Sequence, residues 1–391
     1  MQVAGIICEY NPIHLGHVGH IKKTKRVLGE CAIVCVMSGN YVQRGDAAVF
    51  GKHVRAAAAV SCGADLVVEL PTPYALSSAE GFAKAGVYIL DKLGVCDVIS
   101  FGSENGDIDI LKKIASTIIT PQADKLILQG IEGGLAYAAA VQKAADAIMG
   151  ADSSALRSPN NLLGIEYLKA LSKLGSKMGA ITVTRTGGAH DSDEGYSASG
   201  IRKTLGESNE PWSLIPQVAS EMFQKEIDAG RGPILLKDME LTMLSRIRAI
   251  SDFSQLPNAT EGLDNRFEKY SGEATIEQMF EKIKTKRYAM SRIRRMMMCA
   301  VLGITAQDTQ SPPPYIRILA MNDTGKKILN RARTRADLPI ITKPASVQKL
   351  SGRAVKLFEL ESKATDFYTL SFKNIESRVA GTEWKQSPCI C

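Results

Sequence analysis

Along its first half the chain alternates short, wholly apolar runs with longer stretches whose apolar residues recur at helical spacing. Runs rich in Val and Ile at residues 3–8, 32–37, 66–70, 97–101 and 180–185 predict five strands. The spacing between them predicts helices over about 16–28, 52–62 and 78–93, and a mostly helical insertion before the fifth strand. Strands that are apolar on both faces and separated by helices argue for a parallel sheet with right-handed crossovers. Residues 1–205 are therefore expected to form an α/β, doubly wound unit.

Beyond Pro211 the β-branched runs fade, and Met, Lys and Arg at helical spacing take over. Helices are expected over 214–229, 239–250, 275–301 and 326–336, so residues 206–391 read as a second, mainly α-helical region. Ser311-Pro312-Pro313-Pro314 reads as a loop, and the tail after Glu383 as frayed.

Composition narrows the class. The chain has 391 residues, 45% of them hydrophobic, which is enough apolar material for substantial cores and argues against disorder. No stretch approaches the ~18 apolar residues of a bilayer span, and the first residues lack a basic secretory n-region, so a soluble, cytoplasmic protein is expected. The eight cysteines, with no CxxC pair among them, read as reduced thiols. The net charge of +7 is modest, and its placement carries more information than its size.

Three of the five histidines, His14, His17 and His20, follow the first predicted strand within seven residues. In a doubly wound sheet, ligands lie at the carboxyl ends of the strands. Asn11-Pro12 ends the strand, Gly16 lets the backbone approach a ligand, and a helix then opens with its exposed amides favouring an anion. His14 and His17 can there face one phosphate group and donate to oxygens that gain charge as an α-phosphate is attacked. A zinc site is a competing reading of the same spacing, and ordinary surface or core histidines a third.

The blocks GIICEYNPIHLGHVGHI, MSGNYVQRGDAAVFGKHVRA, DLVVELPTPYA, ISFGSENGDI, SPNNLLGIEYLKAL, KTKRYAMSRIRRM and PPYIRILAMN, spread from residue 3 to about 322, resemble the tRNA(Met) cytidine acetate ligase family. Its HxGH signature belongs to the nucleotidyltransferase superfamily, whose fold is Rossmann-like, of the HUP type. The resemblance implies a cytoplasmic, ATP- and Mg²⁺-dependent ligase. Such an enzyme turns acetate into acetyl-adenylate with release of pyrophosphate, then acetylates N4 of the wobble cytidine of elongator tRNA(Met). It implies His14 and His17 as catalytic residues, with Mg²⁺ carried by ATP and no separate metal site. The implied ATP site comprises Ile7, Cys8, Glu9, Tyr10, Asn11, Pro12, Ile13, His14, Leu15, Gly16, His17, Val18, Gly19, His20, Gly102, Arg185, Thr186 and an asparagine of the SPNN block, Asn160 in preference to Asn161.

Residue by residue, Gln43 and Arg44 lie in a glycine-flanked loop, where Arg44 reads either as a phosphate contact or as a partner of Asp46. Gly102 reads as a close approach to the nucleotide, and Glu104 as a turn cap. Ser199 reads as a helix cap, with Arg202 and Lys203 as countercharges to phosphate. From Lys282 through Gln307 there is no acidic residue, and Lys284, Lys286, Arg287, Arg292, Arg294 and Arg295 are expected to meet RNA, with Tyr288 and Tyr315 available for stacking. A second cluster, Lys326, Lys327, Arg331, Arg333 and Arg335, follows, while Met296, Met297 and Met298 read as core. Two other functions compete: a small-molecule adenylyltransferase, which needs no long basic half, and a non-catalytic RNA-binding protein on a nucleotidyltransferase fold, which needs no intact HxGH.

Overall fold

A computed structural model describes residues 1–135, 137–184, 198–206 and 212–391. Among these the strands are β1 (Gln2–Cys8), β2 (Cys31–Ser38), β3 (Tyr41–Val42), β4 (Asp46–Ala47), β5 (Leu66–Leu70), β6 (Val98–Ser103), β7 (Gly179–Thr184), β8 (Ile316–Met321), β9 (Ile340–Ile341) and β10 (Cys389–Ile390). The expected α/β fold is present. Strands β5-β2-β1-β6-β7 lie side by side and all parallel, so chain order reverses between β1 and β6. That reversal is the crevice where doubly wound sheets bind ligands. The apolar runs form inner strands because both faces are covered: Val3 and Ile7 of β1 enter one core, Ala4 and Ile6 the other.

The chain beyond residue 206 is mainly helical, and it also returns strands to this sheet. β8 pairs antiparallel with β5, and β10 and β9 pair with β8. Periodicity did not reveal β8 because Arg317 interrupts its apolar run. That guanidinium is 2% exposed and lies 3.5 Å from Glu69, and with Lys52 it also meets Glu383. Lys52 is 2.6 Å from Glu69. Two buried cations thus face two buried carboxylates drawn from four distant stretches of chain, and removing any one leaves an uncompensated buried charge. The frayed tail is therefore corrected: Glu383 is fully buried in this knot, and Cys389–Ile390 are hydrogen-bonded to β8.

The helices Gln217–Asp228, Glu240–Arg248 and Asp323–Ala332 lie close to their expected places. The long helix expected over 275–301 is two, Ile276–Ile283 and Met290–Leu302, because Lys284 turns extended. Leu263–Tyr270 and Gly352–Thr369 are further helices. A separate apolar cluster that includes Met243, Phe267, Met279 and the fully buried Met296, Met297 and Met298 reaches Tyr41 and Ala47 of the β3–β4 hairpin. Among the described residues no helix is long and apolar enough to cross a membrane.

Candidate active site

β1 ends at Cys8, and the turn that follows is built from buried groups. Tyr10 is 2% exposed and holds φ at +43°, a conformation that costs a non-glycine residue about 1 kcal/mol or more and marks a site under functional constraint. Asn11 accepts the Val49 N–H at 2.8 Å, while its buried Nδ2 has no acceptor among the described residues. Arg55, fully buried, gathers the strand ends from below, donating to the carbonyls of Glu9 (2.5 Å), Ser38 (3.1 Å), Gly39 and Phe50 (2.9 Å). Parallel strand ends present carbonyl oxygens to the crevice, and this guanidinium offsets their negative charge where an anion must sit.

The helix Leu15–Leu28 opens on His14 as its N-cap. Nδ1 of His14 accepts the Gly16 N–H at 3.1 Å, and Nδ1 of His17 accepts the His14 N–H at 3.3 Å. With both Nδ1 atoms accepting, each neutral ring bears its proton on Nε2, away from the backbone, and is a donor there. The rings lie 3.8 Å apart between centroids, with Tyr10 4.9 Å from His17. Gly16 is required because a Cβ there would come within 2.8 Å of the His14 ring. His20 differs: its Nε2 is 3.0 Å from Ser100 Oγ, which also meets Thr24, so it ties the helix to β6.

Across the turn, Glu9 is half-buried, and its Oε1 accepts the Gln43 N–H at 2.7 Å. Burial pushes its carboxyl above the usual range, against that hydrogen bond and the charges of Arg202, Arg44 and Arg55. Arg202 reaches in from the helix Ala198–Gly206 and donates to the Asn11 carbonyl at 2.9 Å. Burial pulls this guanidinium down from its ordinary value. Ser199 lies within that helix, and Lys203 is exposed. Arg185 and Thr186 lie outside the described residues.

On the β6 side, Gly102 sits at the strand end opposite Val183. Glu104 does not cap the turn that follows it but the start of the helix Pro159–Leu174: it accepts from Asn160 N (3.2 Å), Asn160 Nδ2 (2.6 Å) and Asn161 N (2.9 Å). Asn161 is buried and accepts the Glu104 N–H at 2.9 Å, whereas Asn160 is half-buried. A cleft of about 420 Å³ opens beside Glu104, Asn105, Asp152, Ser158 and Asn161. No group of three or more His, Cys, Asp or Glu among the described residues is placed to hold a metal.

The basic run of the second half divides. Lys284, Lys286 and Arg287 are exposed. Arg292 binds Glu261 at 2.6 Å, and Arg294 binds Asp46 at 3.0 Å, so Asp46 pairs with Arg294. Arg295 is 7% exposed, 3.5 Å from the Gln43 carbonyl, and burial pulls it down to about 10. The helix carrying these residues docks on the β3–β4 hairpin, where Gly45, at φ +80°, leaves no room for a Cβ against the backbone of Arg294 and Arg295. Stacking by Tyr288 and Tyr315 is corrected. They are 4% and 1% exposed, packed inside because their rings fill the cores.

Over residues 1–383 the chain matches the family described as HIGH Nucleotidyl Transferase. The tRNA(Met) cytidine acetate ligase of Acetivibrio thermocellus is 36% identical over 415 residues, which cover 100% of both chains. That of Caldanaerobacter subterraneus subsp. tengcongensis is 37% identical over 387 residues, 96% of each. Among solved structures, Thermotoga maritima TmcAL bound with alpha-thio ATP gives a TM-score of 0.94 at 31% identity, over 100% of this chain and 99% of that one. Its apo form gives 0.95 at 30% identity over the same shares.

Proposed function

The chain belongs to the HIGH nucleotidyl transferase family and, within it, to the tRNA(Met) cytidine acetate ligases, and from that membership we propose the reaction performed at the turn after β1. ATP binds in the crevice between β1 and β6, acetate is activated as acetyl-adenylate with loss of pyrophosphate, and the acetyl group passes to N4 of the wobble cytidine of elongator tRNA(Met). The observation that carries this reading is the His14–His17 pair on a helix N-terminus at the sheet's reversal point.

Acetate is already a carboxylate at neutral pH, so its attack on the α-phosphorus needs alignment and charge stabilisation rather than proton removal. The Nε2–H groups of His14 and His17 and the amides opening the helix face the oxygens that gain charge. Arg202 and Arg44 offset the leaving pyrophosphate, and Gly102 and Asn160 border the nucleoside. Mg²⁺ fits as the ion that ATP brings with it, since the residues around the turn supply cations and neutral donors rather than a carboxylate cluster. The exposed Lys284, Lys286 and Arg287 supply positive charge for the RNA backbone, and the mainly helical chain beyond residue 206 presents them. A cytoplasmic site of action follows from a tRNA substrate. Exchange of labelled pyrophosphate into ATP tests the reading. It should require acetate and proceed without tRNA, and exchange without acetate, or none at all, refutes it.

A further inference from the structure

The two chemical steps make unequal demands on proton transfer. Adenylation moves no proton, whereas in the second step an exocyclic amine whose lone pair is delocalised into the pyrimidine must lose one as it bonds to carbon. Some group in the crevice must accept that proton. The histidines are poorly suited, because both Nδ1 atoms already accept backbone N–H groups and both Nε2 atoms bear protons.

The carboxylates at the strand ends are nearly all committed elsewhere. Glu104 uses both oxygens on the amides of Asn160 and Asn161, Asp46 is bound by Arg294, and Glu69 is locked between Lys52 and Arg317. Glu9 differs: Oε1 takes the Gln43 N–H, and Oε2 receives no hydrogen bond from the described residues. The residue is only half-buried, and it leaves β1 five positions before His14.

Resting on the acetate-ligase reading above, we propose that Glu9 is the catalytic base of the transfer step, its Oε2 accepting the proton from cytidine N4. As the N4–C bond forms, the bond from the acetyl carbon to the adenylate oxygen breaks, its electron pair leaves with AMP, and the proton passes to Glu9 and then to solvent. The groups facing this carboxylate are Arg55 on the helix Lys52–Ser61, Arg44 in the loop between β3 and β4, Arg202 on the helix Ala198–Gly206 and Tyr167 on the helix Pro159–Leu174. Burial raises the carboxyl and the guanidinium groups oppose it, which leaves a base stronger than an exposed glutamate.

The test compares both half-reactions in the full-length enzyme. Glu9→Gln preserves shape, and its amide oxygen can still accept the Gln43 N–H. Acetate-dependent pyrophosphate exchange reports the first step. Single-turnover transfer from synthetic acetyl-adenylate to tRNA(Met) reports the second. The ratio of transfer to exchange should fall about 10²-fold or more, within the usual range for a lost general base. Wild-type transfer should also decline as pH drops toward a point above the ordinary carboxylate range, and this limb should vanish in the variant. Glu9→Asp, which keeps a carboxylate one methylene shorter, should restore part of the transfer rate together with the pH limb, and it decides the question if the Gln variant does not fold. An unchanged ratio, or a pH limb that survives in Glu9→Gln, overturns the proposal. Absence of acetate-dependent exchange in the wild type refutes the ligase reading instead, so the two failures are distinct.

Discussion

The turn after β1 and the basic stretch 282–295 each stand out in the sequence by local composition, yet the fold treats them differently. In the turn, neighbours in sequence remain neighbours in function: His14 and His17 pack ring to ring at a tilt of 34°, cap one helix and share one tautomer. In the basic stretch, six cations chosen on charge alone separate into three exposed to solvent and three engaged within the protein, by Glu261, Asp46 and the Gln43 carbonyl. A motif held by backbone geometry survives folding as a unit. A run of like charges does not, because Lys284, Lys286 and Arg287 lie outside the helices and face solvent, whereas the helix Met290–Leu302 carries its arginines to Glu261 and the β3–β4 hairpin.

The sharpest way to break this contrast is His17→Ala. Loss of one donor to the developing phosphate charge should lower acetate-dependent exchange about 10²–10³-fold, with tRNA affinity, measured by filter binding, unchanged within about twofold. A parallel collapse of tRNA binding would show that the two regions are one site. Next in size, replacing Lys284, Lys286 and Arg287 together with Gln should reduce the slope of log K against log salt by about 2, at roughly 0.7–0.9 per lost phosphate contact. Arg294→Ala serves as its foil: it should leave that slope alone and lower stability by under about 1 kcal/mol, the usual worth of a partly exposed pair. A slope change for Arg294 equal to that of the surface set would erase the distinction.

A separate test concerns pH. Glu361 accepts the N–H and hydroxyl of Thr72, at 2.5 and 2.8 Å, and burial beside Glu69 pushes its carboxyl from 4.5 up to about 7. Its folded value exceeds its unfolded one, so the folded chain holds the extra proton between them. Its contribution is full below about 4.5 and is lost as pH rises through about 7. Glu361→Gln should flatten the fall in stability across that window, by at most about 1.4 kcal/mol per pH unit in urea melts. An unaltered pH profile would place the titrating group elsewhere in the buried cluster.

The parallel half of the fold was legible because its strands are apolar on both faces, and the site was legible because a strand, an Asn-Pro turn and HxGH are contiguous. What stayed hidden depends on contacts distant in sequence. β8 carries Arg317, whose acceptability in a strand is set by Glu69 and Glu383, and no window around residue 317 contains either. The β3–β4 hairpin has only two residues per strand and is held in place by the helix Met290–Leu302 through Gly45. The helical break at 284–289 likewise shows no Pro or Gly to announce it. Glu9 sat within the recognised signature, but its difference from the other carboxylates lies in which oxygens are already occupied, which only coordinates reveal.

The ionic knot of Lys52, Glu69, Arg317 and Glu383 has a consequence for biosynthesis. A ribosome delivers Lys52 and Glu69 first, Arg317 much later and Glu383 later still. The nascent N-terminal portion therefore waits with an open edge at β5 until β8 emerges, and with only the Lys52–Glu69 pair of the knot until Arg317 and Glu383 follow. A fragment cut at residue 205 would keep the whole HxGH turn and still lack Arg317 and Glu383, half of the knot that joins β5 to β8.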